Sequence, residues 1–268
     1  MRTVNVASAM VEGARLRLRR SVSSLRAYLG CFWSIESTVA ARVRTLPDAC
    51  AALSIQSRQG TALECLLAGR RQTPAEVAPT ARQTLFGVQL KPGVTFLLLR
   101  VPVHTLVERC RPLAALLPED GSRLEKRLSG TETVDEGIDV LEKFLVARLS
   151  DVAIDSRVQM ALKRIEECSG HIRIPQLARE CQVSLRHLNR LLRNWVGFSP
   201  KILTKIMRFQ ALLQRMEASP SRGCAQAAAE LVYFDQAHLA NEVASFAGMS
   251  PARIARHRVA DFSKTRCE

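Results

Sequence analysis

The sequence predicts an α+β chain in which a β-rich α+β N-terminal domain precedes an all-α C-terminal domain. Three observations predict it. Up to about residue 100, short apolar stretches alternate with turn-forming residues, which is the pattern of strands. From Val134 onward the apolar residues recur with a helical period. Residues 187–200, HLNRLLRNWVGFSP, also align without a gap with residues 238–251, HLANEVASFAGMSP, so one helix-sized unit occurs twice.

The chain opens with Arg15, Arg17, Arg19 and Arg20 among alternating leucines. With no secretory apolar region or cleavage site, residues 1–22 are read as a basic, disordered extension. An N-terminal domain over residues 23–150 follows. Tyr28–Ile35 and Ala51–Ile55 read as strands, and so do Thr84–Leu90 and Val94–Leu99 on either side of the Lys91-Pro92-Gly93 turn. Val103–Cys110 and Val134–Leu149 read as helices, the second placing Val134, Ile138, Leu141 and Leu145 on one face. That face suits packing on the domain's own sheet, or else a seam between two copies of the chain. The predicted domain is small and β-barrel-like at its centre. Phe32 and Trp33 are candidates either for its core or for the wall of a ligand pocket.

Residues 155–260 form the second domain. Each copy of the repeat is a capped helix of about three turns: Ser184 or Asp235 is the N-cap, and Gly197 or Gly248 the left-handed stop. The next helix starts at Ser199-Pro200 or Ser250-Pro251, with proline in the first turn, where its missing N–H costs nothing. In the first copy Leu188, Leu191, Leu192 and Trp195 make an apolar stripe, and Arg186, Asn189, Arg190 and Arg193 share the opposite side. A basic face on a lone helix is commonly no more than a solvated one. Here a short helix, Ile174–Cys181, and a brief Gln182-Val183 turn come immediately before it, which makes a helix-turn-helix.

Charge supports that reading. The 268-residue chain has a formal net charge of +14, and Ser156–Glu268 holds 18 Lys and Arg against 9 Asp and Glu. A surplus concentrated in that third of the chain points to a polyanionic partner. The eight cysteines are dispersed, with no C-x-x-C pair and no histidine at zinc spacing, so neither a metal nor another cofactor is expected and most thiols are read as buried apolar fillers. No apolar run approaches the roughly 18 residues of a membrane helix, so the expected location is the cytoplasm with no membrane partner. No Ser-His-Asp, Walker or G-x-G-x-x-G pattern is present, and no catalytic residue is nominated. A sequence-indifferent architectural protein would share the charge, but it would not need Asn189 between two arginines on a capped helix.

Leu177-Ala178, the Ser184 cap, Leu188, Arg190 and Gly197-x-Ser199-Pro200 are followed by a linking helix, Lys201–Glu217. Ala228, Asp235-Gln236-x-His238-Leu239 and Gly248-x-Ser250-Pro251 complete the pattern. Over residues 155–258 the chain resembles the AraC/XylS family of transcription regulators. The resemblance implies two helix-turn-helix units reading successive major grooves of double-stranded DNA. It makes Arg186, Asn189 and Arg190 base-facing in the first unit, and Gln236, His238 and Asn241 their counterparts in the second. Arg193 and Lys201 are further candidate DNA contacts, Lys201 to the phosphate backbone. The family's usual turn glycines are replaced by Gln182 and Val232, a late arginine by Asn241, and Glu242 is read as repelling phosphate. Segments YLGCFWSIE, LPDACAALSI and FGVQLKPG resemble the N-terminal domain of one subgroup, which implies a sensing or dimerisation role. The same DNA-binding domain is found fused to alkyl-transfer repair domains with a Pro-Cys-His-Arg nucleophile, and no cysteine here precedes a histidine. The further partners this reading admits are RNA polymerase, a small-molecule effector and a second copy of the chain, with activation of transcription as the family's habit.

Overall fold

A computed structural model describes residues 9–12, 14–39, 42–58, 62–77, 84–218 and 236–256. A β-rich N-terminal region is followed by a helical C-terminal one. The strands are β1 (Ala9–Glu12), β2 (Arg15–Arg19), β3 (Leu29–Glu36), β4 (Arg42–Thr45), β5 (Ala51–Arg58), β6 (Ala62–Ala68), β7 (Ala75–Val77), β8 (Thr84–Leu90) and β9 (Cys110–Pro112). They make a six-stranded sheet of order β2-β3-β8-β5-β6-β9 and a three-stranded sheet of order β1-β4-β7, with every pair antiparallel. The expected barrel is therefore two open sheets.

The period of two is visible side by side in the central strands. Leu53 and Ile55 of β5, Cys65 and Leu67 of β6, and Phe86, Val88 and Leu90 of β8 share one buried face. Helices cover it: α1 (Val94–Leu99), α2 (Leu113–Leu116), α3 (Pro118–Leu128) and α4 (Val134–Leu149). Ile138, Leu141, Leu145 and Leu149 of α4 are buried in this cluster, each contributing about 1.5–3 kcal/mol. The face predicted for α4 thus packs on its own sheet. Phe32 belongs to the same core, whereas Trp33 points the other way and lies over Gly87, where a Cβ would come within 2.8 Å of the indole. Only glycine tolerates that approach.

Three expectations are corrected. The described part of the basic extension is strand, because Arg-Leu alternation over Arg15–Arg19 turns Leu16 and Leu18 towards one small core. Arg19 reaches across to α4 instead, with Nη2 2.5 Å from Asp139 and 3.3 Å from Glu142, so this charge is neutralised within the fold. Residues 1–8 lie outside the described residues. Val94–Leu99 is a helix rather than a strand: Gly93, at φ 94°, turns the chain, and a continuous apolar run suits either element. Val103–Cys110 is helical only as a 3-10 turn over Val103–Leu106, after which Glu108 takes φ 60° and the chain enters β9.

The helical region comprises α5 (Ser156–Glu167), α6 (Ile174–Glu180), α7 (Leu185–Val196), α8 (Pro200–Ala218), α9 (Gln236–Ala247) and α10 (Pro251–Arg256). Its core runs through Val158, Leu177, Leu188, Leu192, Leu203, Phe209 and Phe246. Two N-terminal residues, Leu46 and Ala49, are buried in that same cluster. They belong to the LPDAC segment, where Cys50 N–H donates to Asp48 Oδ1 at 2.9 Å in an Asx turn and Ala49 takes φ 62°. Arg70, only 1% exposed, holds the turn by donating from Nε to the Ala49 carbonyl at 2.5 Å, while its other nitrogens reach Thr95 and the Lys91 carbonyl at 3.4 Å. Burial lowers the Arg70 pKa to about 10. From the other side Gln210 of α8 donates to the Pro47 carbonyl at 2.6 Å.

Among the described residues no helix is long and apolar enough to cross a membrane, and no group of three or more His, Cys, Asp or Glu is placed to hold a metal ion. Cys31, Cys50, Cys65 and Cys181 are buried, Cys168 is half-buried and Cys110 is exposed. Burial pushes Cys65 up to about 12, so it stays protonated.

Arg70→Met should destabilise the chain by about 2–4 kcal/mol, because it leaves buried carbonyls without donors. Urea unfolding measures this, and a loss below about 1 kcal/mol would show that the clamp is dispensable.

Candidate nucleic-acid interface

Helix α6 ends because Gln182 adopts φ 53°, with Val183 N–H donating to the Ala178 carbonyl and Gln182 N–H to the Arg179 carbonyl, both at 3.0 Å. This is the Schellman closure that glycine usually serves. The first turn therefore keeps its shape without a glycine, at the cost of holding a β-carbon in the left-handed region. Val232, its counterpart in the second unit, and Asp235, the expected cap, lie outside the described residues.

Helix α7 starts at Ser184, whose Oγ accepts from His187 N–H at 3.2 Å, and stops at Gly197, at φ 92°. Between them the two predicted faces separate. Leu188, Leu192 and Val196 are buried, and Leu191 and Trp195 partly so, while Arg186, Asn189, Arg190 and Arg193 are all exposed. The exposed four line a concavity of about 500 Å³ together with His187 and Asn194. Lys201, at the start of α8, is exposed beyond the end of α7, and Ser199 Oγ accepts from Ile202 N–H at 3.4 Å as the expected cap.

Sequence reasoning missed the other wall of this concavity, which is His104 from the N-terminal 3-10 turn. Val103 and Val107 flank that histidine and approach Gly197, where a Cβ would lie 3.3 Å and 3.0 Å from their side chains. Phe96 of α1 stacks on Trp195, with ring centroids 4.3 Å apart. Helix α7 is thus supported by the helical core on one side and by the N-terminal domain on another. No periodicity in the sequence signals a contact between residues about a hundred positions apart.

In the second unit α9 exposes Asn241 and buries Val243, Phe246 and Ala247. The side chains of Gln236 and His238 lie outside the described residues. Glu242 is corrected: it is 6% exposed and faces α8, where Arg208 Nη2 is 3.1 Å from Oε2 and Arg208 Nε is 3.4 Å from Oε1. A carboxylate turned inward and paired does not repel DNA phosphate; it locks α9 to α8. Burial and the Arg208 charge both hold nearby His171 below the usual histidine pKa. Gly248, at φ 66°, ends the helix, and Ser250 Oγ accepts from Arg253 N–H at 3.4 Å, repeating the first unit's junction.

Two family models match the chain: a domain of unknown function (DUF6597) over residues 21–112, and a helix-turn-helix domain over residues 177–257. No curated protein matches it. Among solved structures it is similar to ToxT from Vibrio cholerae O395, at 9% identity over 94% of this chain and 97% of that one, with a TM-score of 0.42. A P21 crystal form of ToxT from Vibrio cholerae matches at 9% identity over 94% and 98%, with a TM-score of 0.41. The AraC-like transcriptional activator CuxR matches at 18% identity over 76% and 86%, with a TM-score of 0.20.

Gln182→Gly should stabilise the chain by about 0.5–1 kcal/mol by relieving the left-handed side chain. Arg208→Met should cost about 2–4 kcal/mol by taking the guanidinium away from the buried Glu242 carboxylate. Thermal unfolding distinguishes the two, and a destabilising Gln182→Gly would mean that the glutamine side chain holds the turn.

Proposed function

We propose that this chain, which carries a helix-turn-helix domain, is a DNA-binding transcription regulator of the AraC type that reads one major groove with α7 and the next with α9, its output controlled by the N-terminal domain. The observation that carries this is the division of α7. One face is anchored in the core by Leu188, Leu192 and Val196, and the other presents Arg186, Asn189, Arg190 and Arg193 to solvent. Arginine fits guanine O6 and N7 bidentately and asparagine fits adenine N6 and N7, so these residue types suit base edges. Arg193 and Lys201 lie towards and beyond the end of the helix, where the phosphate backbone is the natural partner.

Helix α9 contributes Gln236, His238 and Asn241, which offer neutral hydrogen bonds and can still read adenine. It is the weaker reader because it lacks a cation to offset desolvation in a phosphate-lined groove, and not because of Glu242. Residues 155–260 act as the DNA-binding unit and residues 23–150 as the controlling one. The support for control is the contact of Val103, His104 and Val107 with the α7 region, which gives the N-terminal domain a physical hold on the reading helix. The protein works in the cytoplasm, where a small-molecule effector, a second copy and RNA polymerase are the partners this arrangement admits, with activation as the output.

Fragments of the source genome selected by the full chain would supply the operator. On it, Arg190→Ala should cost about 1–3 kcal/mol and relax preference at one or two base pairs in one half-site. Asn241→Ala should cost clearly less. Lys201→Ala should weaken every sequence alike and reduce the salt slope by about one unit, from a starting slope near −4 to −5 for about 5 neutralised phosphates. Equal binding to scrambled DNA would favour an architectural protein, and a larger loss for Asn241→Ala would make α9 the main reader.

A further inference from the structure

The two sheets of the N-terminal domain enclose a cavity of about 320 Å³, within the range of small-molecule sites. Its walls are mainly apolar, with Trp33, Ile35, Val43, Leu66 and Leu85 among them. Two polar atoms in it are left unmet among the described residues. Gln89 is 3% exposed and donates from Nε2 to Asp48 Oδ2 at 2.6 Å, which fixes the amide's orientation, since exchanging N and O would set a carbonyl against a carboxylate. Its Oε1 is therefore an acceptor, buried and without a hydrogen-bond partner among the described residues. Arg71, also in the wall, pairs through Nη2 with Glu108 at 3.0 Å, while its Nε is buried without a partner among the described residues.

Buried polar atoms in native proteins are nearly always satisfied, and apolar walls make bulk water a poor occupant. The missing partner must donate to Gln89 and accept from Arg71. It should carry no charge: Asp48 in the wall disfavours an anion, and Arg71 and Arg109 disfavour a cation. Asp48 does not call for a cation either, because its two oxygens already accept from Cys50 N–H and Gln89 Nε2.

The cavity wall is also the domain contact. Leu46, Pro47, Asp48 and Cys50 all line the cavity, while Leu46 and its neighbour Ala49 are also buried in the helical core and the Pro47 carbonyl accepts from Gln210 of α8. We propose that the cavity binds an uncharged, mainly apolar molecule bearing a hydrogen-bond donor and an acceptor, such as a hydroxylated aromatic ketone, and that residues 46–50 transmit its occupancy to the DNA-binding helices. The transmission rests on the regulatory reading above; the binding does not.

The test uses the full chain with 4-hydroxybutyrophenone and its methyl ether as probes, by calorimetry without DNA. The phenol should bind with a Kd on the order of 0.1–1 mM. The ether, unable to donate to Gln89, should bind at least about tenfold more weakly. Ala52→Leu, which fills the cavity from β5, should abolish binding, and Gln89→Met should reduce the phenol to the level of the ether. Saturating phenol should then change affinity for the selected operator at least about fivefold, and Gln210→Met should remove that response while sparing phenol binding. Equal binding of phenol and ether to the unaltered chain, or binding that survives Ala52→Leu, overturns the site. Phenol binding with unchanged operator affinity overturns the transmission. A chain that binds the phenol but prefers no DNA sequence faults the regulatory reading and leaves the cavity standing.

Discussion

The buried guanidinium of Arg70 is the constraint on which the arrangement of the two domains depends. An arginine is seldom placed in a core, because removing its charge from water is costly unless hydrogen bonds compensate. Here the acceptors are backbone carbonyls at Ala49 and Lys91 and the Thr95 hydroxyl, so a single side chain ties the LPDAC turn to the start of α1. Ala49 tolerates a left-handed backbone because this clamp and the Asx turn at Asp48 over-determine its position. The turn so held projects Leu46 and Ala49 into the helical core and offers the Pro47 carbonyl to Gln210.

From that clamp follows the presentation of α7. A reading helix needs one face held rigidly so that the other can meet base edges in register. The helical core holds α7 through Leu188, Leu192 and Val196, and the N-terminal domain adds the Phe96 stack on Trp195 and the approach of Val103 and Val107 to Gly197. Trp195 thereby belongs to both apolar clusters. Any shift of the N-terminal domain bears directly on the helix that carries the basic stripe. In the second unit the Arg208–Glu242 pair does the comparable work of fixing α9 to α8 with side chains instead of a neighbouring domain.

Some of this was readable residue by residue. The Ser184 cap, the Gly197 stop, the Ser199-Pro200 junction and the repeat of Gly248 and Ser250-Pro251 are local features, satisfied by atoms a few positions apart. The alternating residues of β3, β5 and β8 and the stripe of α4 are equally local in origin. Where a local pattern admitted two answers, reading it alone went astray. The Val94–Leu99 run has no period to separate strand from helix, and the Arg-Leu alternation of β2 looked like an extension until its pairing with β3 was seen. Glu242 was legible as an acid on a DNA-binding helix, but its direction depends on Arg208, 34 residues earlier.

What the sequence by itself determined is the α+β class, the repeated capped helix and the chemical character of the α7 face, because helix period, caps and side-chain type act over one or two turns. Tertiary structure alone decided that two sheets enclose a cavity, that His104 stands beside the basic stripe, and that residues 46–50 join cavity to helices. Each of these brings together groups distant along the chain, and burial of apolar surface, rather than any local propensity, selects which distant groups meet.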